Sequence, residues 1–224
     1  MLHQPRKRLT KRQIKQDKFV TYYFKAQDYI VRNTRTILSG AAAIVVLLVA
    51  IFIYSSKQAE KEKEAVVQLT KARIEYFAGK YDAAIPLLNN VVESYGGTRS
   101  AKEGLFYLAN AYFFTQKYDE ARQAFEKFLD ESDDDILNAS AMAGIAACLE
   151  ETGKYLEAAK AYEQAARKYS EGFQAPQNLL NAARCYVHVG EKESARQLLN
   201  EIVEDYADSN AKTDAEVLLA ELVS

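Results

Sequence analysis

Apolar residues recur along much of the chain at the spacing of one face of an α-helix. Leu105, Leu108, Ala109 and Tyr112 show the pattern, because they stand at i, i+3, i+4 and i+7. The chain has only three prolines and nine glycines among 224 residues. This low content of helix breakers suits a helix-rich globular protein. The sequence therefore predicts amphipathic helices that bury one face.

The helical pattern repeats with a fixed period. The stretch GKYDAAIPLL, which begins at Gly79, is followed by similar stretches that begin 37, 74 and 111 residues later, at Gln116, Gly153 and Gly190. A period of this length indicates stacked supersecondary units. Each unit contains a first helix, a short turn and a second helix. Glycine in the turn fits a left-handed helix C-cap.

One small residue is shared by all four units and stands early in the second helix. The alanines in this position are Ala84, Ala121, Ala158 and Ala195. We interpret them as the points where the two helices of a hairpin cross, because a larger side chain would push the helices apart.

A long apolar run precedes the repeats. Residues 37–54, ILSGAAAIVVLLVAIFIY, contain no charge over eighteen positions. At a rise of ~1.5 Å per residue they would extend over about 27 Å, close to the hydrocarbon thickness of a bilayer. A buried helix of a soluble protein and a cleaved signal peptide are the alternatives. We expect a transmembrane helix that stays in place as a signal anchor.

Charge is distributed unevenly about this run. Residues 1–36 contain ten basic and two acidic side chains, and the chain as a whole has a net charge of −2. The basic excess predicts that the N-terminus is cytoplasmic and that the acidic body lies on the other side of an inner membrane, in the periplasm. We assign the basic charge to the membrane and not to nucleic acid.

The segment before the run has a pattern of its own. Phe19, Tyr22, Tyr23, Ala26 and Ile30 fall on one helical face. Residues 5–35 could thus contact anionic lipid through an amphipathic helix on the membrane surface. A plain helical extension of the span is the alternative.

These features divide the chain into five parts. The predicted parts are a basic cytoplasmic segment with an amphipathic helix (1–36), a transmembrane helix (37–54), a charged linker or stalk (55–64), four repeats of period 37 (65–209) and a capping helix (210–224). A terminal helix of this kind gives a helical stack a polar end.

The repeats resemble the tetratricopeptide repeat (TPR) family. The family pattern places apolar, Leu, small and Tyr residues on the first helix, then Gly, Tyr, Ala, an aromatic residue and Ala around the second. The second unit matches it with Leu105, Leu108, Ala109, Tyr112, Tyr118, Ala121 and Phe125. The first unit matches least, because Lys71 stands where Leu is expected. The resemblance implies an all-α fold, a right-handed superhelix of four hairpins.

The same resemblance implies a groove. In this family the concave face is lined mainly by the first helices and binds extended or helical peptides. Nine of the residues that the register puts on that face are the candidates for peptide binding: Phe106, Tyr107, Asn110, Phe113, Phe114, Leu180, Asn181, Arg184 and His188. The alternative for Phe106 and Phe113 is that they only pack against a neighbouring hairpin.

The sequence shows no constellation typical of an enzyme or a metal site. Cys148 and Cys185 are 37 residues apart and hence occupy equivalent positions, which indicates packing residues. The acidic run 130–135, DESDDD, lacks the glycine and the distal glutamate of a calcium loop and suits a helix cap. We therefore expect no catalytic residues, no cofactor and no metal.

The predicted layout resembles that of the YfgM family, ancillary subunits of the SecYEG translocon with a single span and an outward TPR array. It implies a periplasmic module that binds client polypeptides or chaperones near the secretion machinery. The alternative is a structural scaffold subunit that tethers a membrane or envelope-assembly complex.

Overall fold

The structure is a computed structural model that describes the backbone of residues 11–223 and the side chains of residues 18–222. The described chain folds into ten α-helices and contains no strand. They are α1 (Lys11–Arg32), α2 (Thr34–Phe77), α3 (Tyr81–Ser94), α4 (Arg99–Phe114), α5 (Tyr118–Glu131), α6 (Asp135–Glu151), α7 (Tyr155–Lys168), α8 (Ala175–His188), α9 (Lys192–Asp205) and α10 (Ala211–Val223). The predicted all-α class is confirmed.

The chain divides into two compact units, and the first ends at Lys57. It contains α1 and the N-terminal part of α2. The apolar run lies within α2, where the most hydrophobic eighteen residues reach a mean hydropathy of 2.8 and none of them is buried by the protein. A core helix of a soluble protein would be covered by its neighbours, whereas these side chains are all exposed.

The second unit, Gln58–Ser224, is a stack of helical hairpins. The C-terminal part of α2 pairs with α3, with which it shares buried side chains and a Tyr76–Tyr81 ring contact. The pairs α4–α5, α6–α7 and α8–α9 follow, with α10 packed on α8 and α9. The predicted stack of four hairpins and a capping helix is the observed arrangement.

The turns inside the hairpins repeat one backbone geometry. Gly79, Gly153 and Gly190 have φ values of 73°, 76° and 81°, and Gln116 takes the same left-handed conformation at 61°. The residue that follows each of them donates its N–H to a carbonyl five residues earlier, as Lys80 does to Glu75 at 3.0 Å. This bond is that of a Schellman motif, which ends a helix and reverses the chain.

The crossing-point alanines lie where the two helices of each hairpin meet. All four have an exposed fraction of 0%. The buried side chains around them form two groups. One joins α2 to α6 around Phe125 and Phe128, and the other joins α6 to α10 around Leu179 and Leu199.

The predicted linker at 55–64 differs from the structure. These residues continue α2 without a break, and some of them belong to the stack. The side chain of Gln58 donates to the Gly97 carbonyl at 2.7 Å, and Glu62 accepts from the Ser100 hydroxyl at 2.7 Å. The stack therefore begins earlier than the apolar pattern indicates, because polar contacts hold this part of α2.

Candidate protein-interaction surface

Four aromatic rings meet where α2 packs beside α4. The Tyr107 ring centroid lies 5.0 Å from that of Tyr76, 5.7 Å from that of Phe77 and 6.2 Å from that of Phe106, and all three contacts are edge-on. Such edge-to-face pairs are favoured by the ring quadrupoles. We call these four residues, Tyr76, Phe77, Phe106 and Tyr107, the aromatic patch.

The aromatic patch is partly open to solvent and firmly supported from below. Phe77 keeps an exposed fraction of 66%, while Phe106 and Tyr107 are half-buried. Phe106 rests on the buried rings of Phe128 and Phe125, at centroid distances of 5.3 and 6.2 Å. A rigid ring platform with one exposed member is suited to hold an apolar side chain from another molecule.

A charged pair lies at the rim of the aromatic patch. The Arg73 guanidinium is 5.4 Å from the Tyr107 ring centroid and 5.6 Å from that of Phe77. Its Nη1 atom is 3.0 Å from Glu103 Oε1. Cation–π contact and the ion pair together fix the guanidinium over the rings.

The two tyrosines of the patch stay neutral at ordinary pH. Burial raises the pKa of Tyr76 to about 12, and burial also raises the pKa of Tyr107, although Arg73 acts against that shift. The patch thus presents uncharged rings beside one balanced ion pair, and this favours apolar ligands over ionic ones.

A cleft of about 600 Å³ adjoins the patch, within the range of ligand pockets. Phe106, Tyr107, Phe128 and Leu137 form its apolar wall. Charged side chains of both signs surround it: Arg99, Lys102, Glu103, Asp133 and Asp134. A segment with an apolar side chain and a polar backbone could lie along this cleft.

The other residues predicted on α4 have local partners. The Asn110 amide donates to the Phe106 carbonyl at 2.8 Å, within the helix. Phe113 is half-buried against Tyr118, with centroids 5.5 Å apart. Phe106 and Phe113 thus pack against neighbouring side chains with part of each ring. The rest of each ring is open to solvent, since both residues remain half-exposed.

Phe114 and His188 belong to a series of contacts between hairpins. Phe114 stacks on Tyr81 of the preceding hairpin at 4.6 Å, and His188 lies 3.7 Å from the Tyr155 ring. At the equivalent position of the third hairpin, the Tyr118 hydroxyl donates to Glu151 at 3.1 Å. The last residue of each first helix thus contacts the tyrosine that opens the preceding second helix.

Three of the residues predicted on α8 have partners within the chain. Leu180 was expected in the groove, but this prediction is wrong because its exposed fraction is 0%. Leu180 belongs to the buried group of side chains that joins α6 to α10, so it packs in the core and does not face solvent. Asn181 accepts from Gln177 at 3.0 Å, and Arg184 pairs with Asp214 of α10 at 2.8 Å.

Sequence reasoning missed Arg73, Tyr76 and Phe77. A signal was present, because Tyr76 and Phe77 stand 37 residues before Phe113 and Phe114. Lys71, the residue that departs from the family pattern in the first helix, is exposed, and Leu69 and Ala72 provide the core contacts of that helix.

The residue groups that could suggest chemistry have structural roles. Cys148 and Cys185 are free thiols, and both are buried. Asp134 caps α6 by accepting from the N–H groups of Ile136 and Leu137, each at 3.0 Å. In the part of the chain that the structure describes, no cluster of His, Cys, Asp or Glu could hold a metal ion.

Several solved structures have the same fold. A Podosopora anserina protein described as a kinesin light chain with nearly identical TPR-like repeats is 20% identical, with a TM-score of 0.57, over 72% of this chain and 86% of that one. RapI in its apo form is 15% identical, with a TM-score of 0.62, over 73% of this chain and 49% of RapI. A Rap protein complexed with competence and sporulation factor is 17% identical, with a TM-score of 0.52, over 72% and 54%. At these identities the likeness concerns the fold alone.

Family models agree with the structural likeness. No curated protein sequence matches the chain significantly. Two models with the description tetratricopeptide repeat match residues 69–136 and 149–214, which together make up more than half of the chain. Proteins built from this repeat are typically non-enzymatic interaction modules. On the repeat geometry and on these matches, the chain belongs to the tetratricopeptide repeat family.

Proposed function

We propose that the protein is a membrane-anchored module that binds a protein partner through the aromatic patch and the adjoining cleft. The observation that carries the proposal is the exposure of Phe77 beside Tyr107, on a supported ring platform, in a fold that typically mediates protein interactions. The apolar side chain of a partner would bury against Phe77 and Tyr107. Arg73 and Glu103 would meet its backbone or a polar neighbour.

The anchor is the apolar part of α2, residues 37–54. Its support is an eighteen-residue charge-free run that the rest of the protein leaves uncovered. With the basic segment before it, the positive-inside rule gives a cytoplasmic N-terminus and a periplasmic array at the inner membrane. The exposed aromatic side chains of α1 support an additional contact of residues 5–35 with anionic lipid.

The resemblance in layout to the YfgM family supports a role near the translocation machinery. Its partners would be client polypeptides or chaperones. A client binder takes many partners weakly through one apolar surface, whereas a scaffold subunit holds one partner in fixed stoichiometry. The solvent-exposed ring of Phe77 favours the client binder, because a permanent interface would be formed by a larger apolar surface.

The binding proposal is tested by site-specific photocrosslinking in cells. A photoreactive amino acid replaces Lys102 at the rim of the cleft, and adducts are compared between the parent and the double variant Phe77→Ala, Tyr107→Ala. We expect several adducts in the parent and at least a fivefold loss in the double variant. Tyr107→Phe should keep the yield, because the ring and not the hydroxyl makes the contact. The control Leu156→Ala removes an exposed apolar side chain of α7 outside the patch.

Two results would contradict the client-binding proposal. One is a single adduct of fixed mass whose yield is unchanged in the double variant, which is the scaffold outcome. The other is an equal loss of adducts in Leu156→Ala. Thermal unfolding of each purified variant shows that the array is still folded.

Topology is tested by thiol labelling in intact cells. In a Cys148→Ala, Cys185→Ala background, Ser170→Cys should react with a membrane-impermeant maleimide from outside the inner membrane. Gln27→Cys should react only after the membrane is opened. The reverse labelling pattern would overturn the proposed orientation.

A further inference from the structure

Two large apolar side chains that are not part of the aromatic patch stand exposed at an edge of the array. Ile136 has an exposed fraction of 62% and Phe173 of 76%. They are 37 residues apart, so they occupy equivalent positions at two successive junctions between hairpins. At the junctions before and after them the same position holds Arg99 and Asn210. The fold therefore accepts polar side chains here, and nothing in the hairpin itself requires an apolar one.

A cleft of about 340 Å³ lies between the two apolar side chains. Ile136 and Phe173 line it together with Tyr169, Gly172 and the buried Ala139. Its volume reaches the lower end of the range for ligand pockets, about 300–1,000 Å³. Single exposed apolar residues are common on protein surfaces, but two that flank one apolar cleft indicate a docking site.

Phe173 also borders a second, larger cleft of about 830 Å³ towards the C-terminal cap. Pro176, Tyr206 and Ala211 line it along with polar residues. The two clefts share residues 170–173, so an extended chain could pass from one to the other over the Phe173 ring.

The charged side chains along this edge are mostly acidic. Four carboxylates line the two clefts, and the described residues form no salt bridge with any of them: Asp135, Glu171, Asp205 and Asp208. The lining contains one basic residue, Lys168, whose ammonium group lies 5.3 Å from the Tyr169 ring centroid. The cleft beside the aromatic patch differs, since both signs of charge surround it.

We propose that this acidic edge, formed by Ile136, Phe173 and the four carboxylates, binds an extended protein segment in which a large apolar side chain is flanked by lysine or arginine. The apolar side chain enters the smaller cleft between Ile136 and Phe173. The flanking cations face the unpaired carboxylates along the edge. An acidic segment would meet like charge here and is rejected.

The acidic edge is a second surface, and its residues are distinct from those of the aromatic patch. The two surfaces share no side chain, and they differ in the ligand that they select. Binding at one can therefore fail in an experiment while binding at the other persists.

The proposal is tested with the full-length chain in a neutral detergent and a fluorescein-labelled peptide of sequence GKKFKKG, followed by fluorescence anisotropy. Two companion peptides, GKKSKKG and GEEFEEG, remove the apolar side chain or reverse the charge. We expect saturable binding of the first peptide and at least about tenfold weaker binding of both companions. Raising the salt concentration should weaken the binding of the first peptide, because its cations face exposed carboxylates.

Variants locate the site. Phe173→Ala and Ile136→Ala should each weaken binding of GKKFKKG by at least about tenfold. Glu171→Gln combined with Asp208→Asn should weaken it and flatten its dependence on salt. Val189→Ala, which removes an exposed apolar residue at another turn, and Phe77→Ala in the aromatic patch should leave it unchanged.

Three outcomes would overturn the proposal. They are the absence of saturable binding of GKKFKKG, equally tight binding of GEEFEEG, and full affinity in both Phe173→Ala and Ile136→Ala. Both side chains are exposed, so their removal leaves the core intact and circular dichroism should show unchanged helix content.

Discussion

Gly144 of α6 is a suitable position to test how closely the hairpins pack, because the Phe125 ring approaches its backbone closely. A Cβ atom built on Gly144 would lie 2.5 Å from both Cε2 and Cζ of Phe125 in α5. Real Cβ contacts are essentially never so short, and Phe125 has an exposed fraction of only 2%, so its ring has little room to move. The substitution Gly144→Ala would therefore create a steric clash between the added methyl group and the buried Phe125 ring.

The expected magnitude is the difference of two opposing effects. Overpacking a dense core costs about 1–3 kcal/mol of folding free energy. Alanine is also favoured over glycine inside a helix, by about 1 kcal/mol, since glycine loses more backbone entropy. We expect Gly144→Ala to lower the free energy of unfolding by about 1 kcal/mol overall, with the steric cost as the larger effect.

A double-mutant cycle separates the two effects. In a Phe125→Leu background the ring edge is gone, so Gly144→Ala should become stabilising by up to about 1 kcal/mol. The assay is urea unfolding of the full-length chain in detergent, followed by circular dichroism at 222 nm. If Gly144→Ala stabilises the parent protein, or has the same effect in both backgrounds, the close approach of α6 to Phe125 is refuted.

Four further variants test the repeat geometry and its buried thiols. Ala121→Leu should destabilise the array by about 1–3 kcal/mol, because the alanine is fully buried where α5 crosses α4, and an unchanged melting temperature would contradict that crossing. Gly153→Ala should cost about 1 kcal/mol in urea unfolding, since φ is 76° and open space surrounds the position, whereas Gln116→Gly, at the same turn conformation, should not lower stability. Burial raises the pKa of Cys148 to about 11 and that of Cys185 to about 12. Unfolded thiols lose their protons near pH 8.5–9, so stability should be full below about pH 8.5 and should fall as pH rises towards 11–12. The double variant Cys148→Ala, Cys185→Ala should lose this part of the pH dependence, and an identical pH profile for that variant and the parent would contradict the assignment.

The period of 37 residues was enough to predict the turns and the crossing points. Such features depend on backbone geometry alone: a left-handed C-cap needs glycine or a tolerant residue, and a helix crossing needs a small side chain. Gly153 and Ala158 illustrate this, because their roles follow from their residue types in any copy of the hairpin.

The groove could be predicted only in part. Phe106 and Leu180 are equivalent by the 37-residue period, yet Phe106 is half-buried and Leu180 has an exposed fraction of 0%. The Phe106 ring lies over the buried rings of Phe125 and Phe128, whereas Leu180 belongs to the buried group that joins α6 to α10. The period alone does not determine which side chains surround each copy of a position.

The sequence pattern also did not predict where the array begins. Residues 55–64 have charged side chains and no apolar stripe, so they were predicted as a linker. Gln58 and Glu62 instead join the stack by hydrogen bonds, and Arg73 of the first hairpin forms an ion pair with Glu103 of the second. Polar contacts of this kind depend on three-dimensional proximity and leave no periodic signal.

One position of the repeat shows why the function has to be argued residue by residue. Tyr107, Gly144 and Asn181 are equivalent by the 37-residue period. Tyr107 presents a ring beside Phe77, Gly144 makes room for the buried Phe125 ring, and Asn181 accepts a hydrogen bond from its own helix. The repeat fixes where the backbone goes, and the side chain at each copy then decides whether that site packs, caps or remains open. An exposed ring such as Phe77 or Phe173 is informative for this reason: the hairpin would fold with a polar residue there, so its exposure points to a partner.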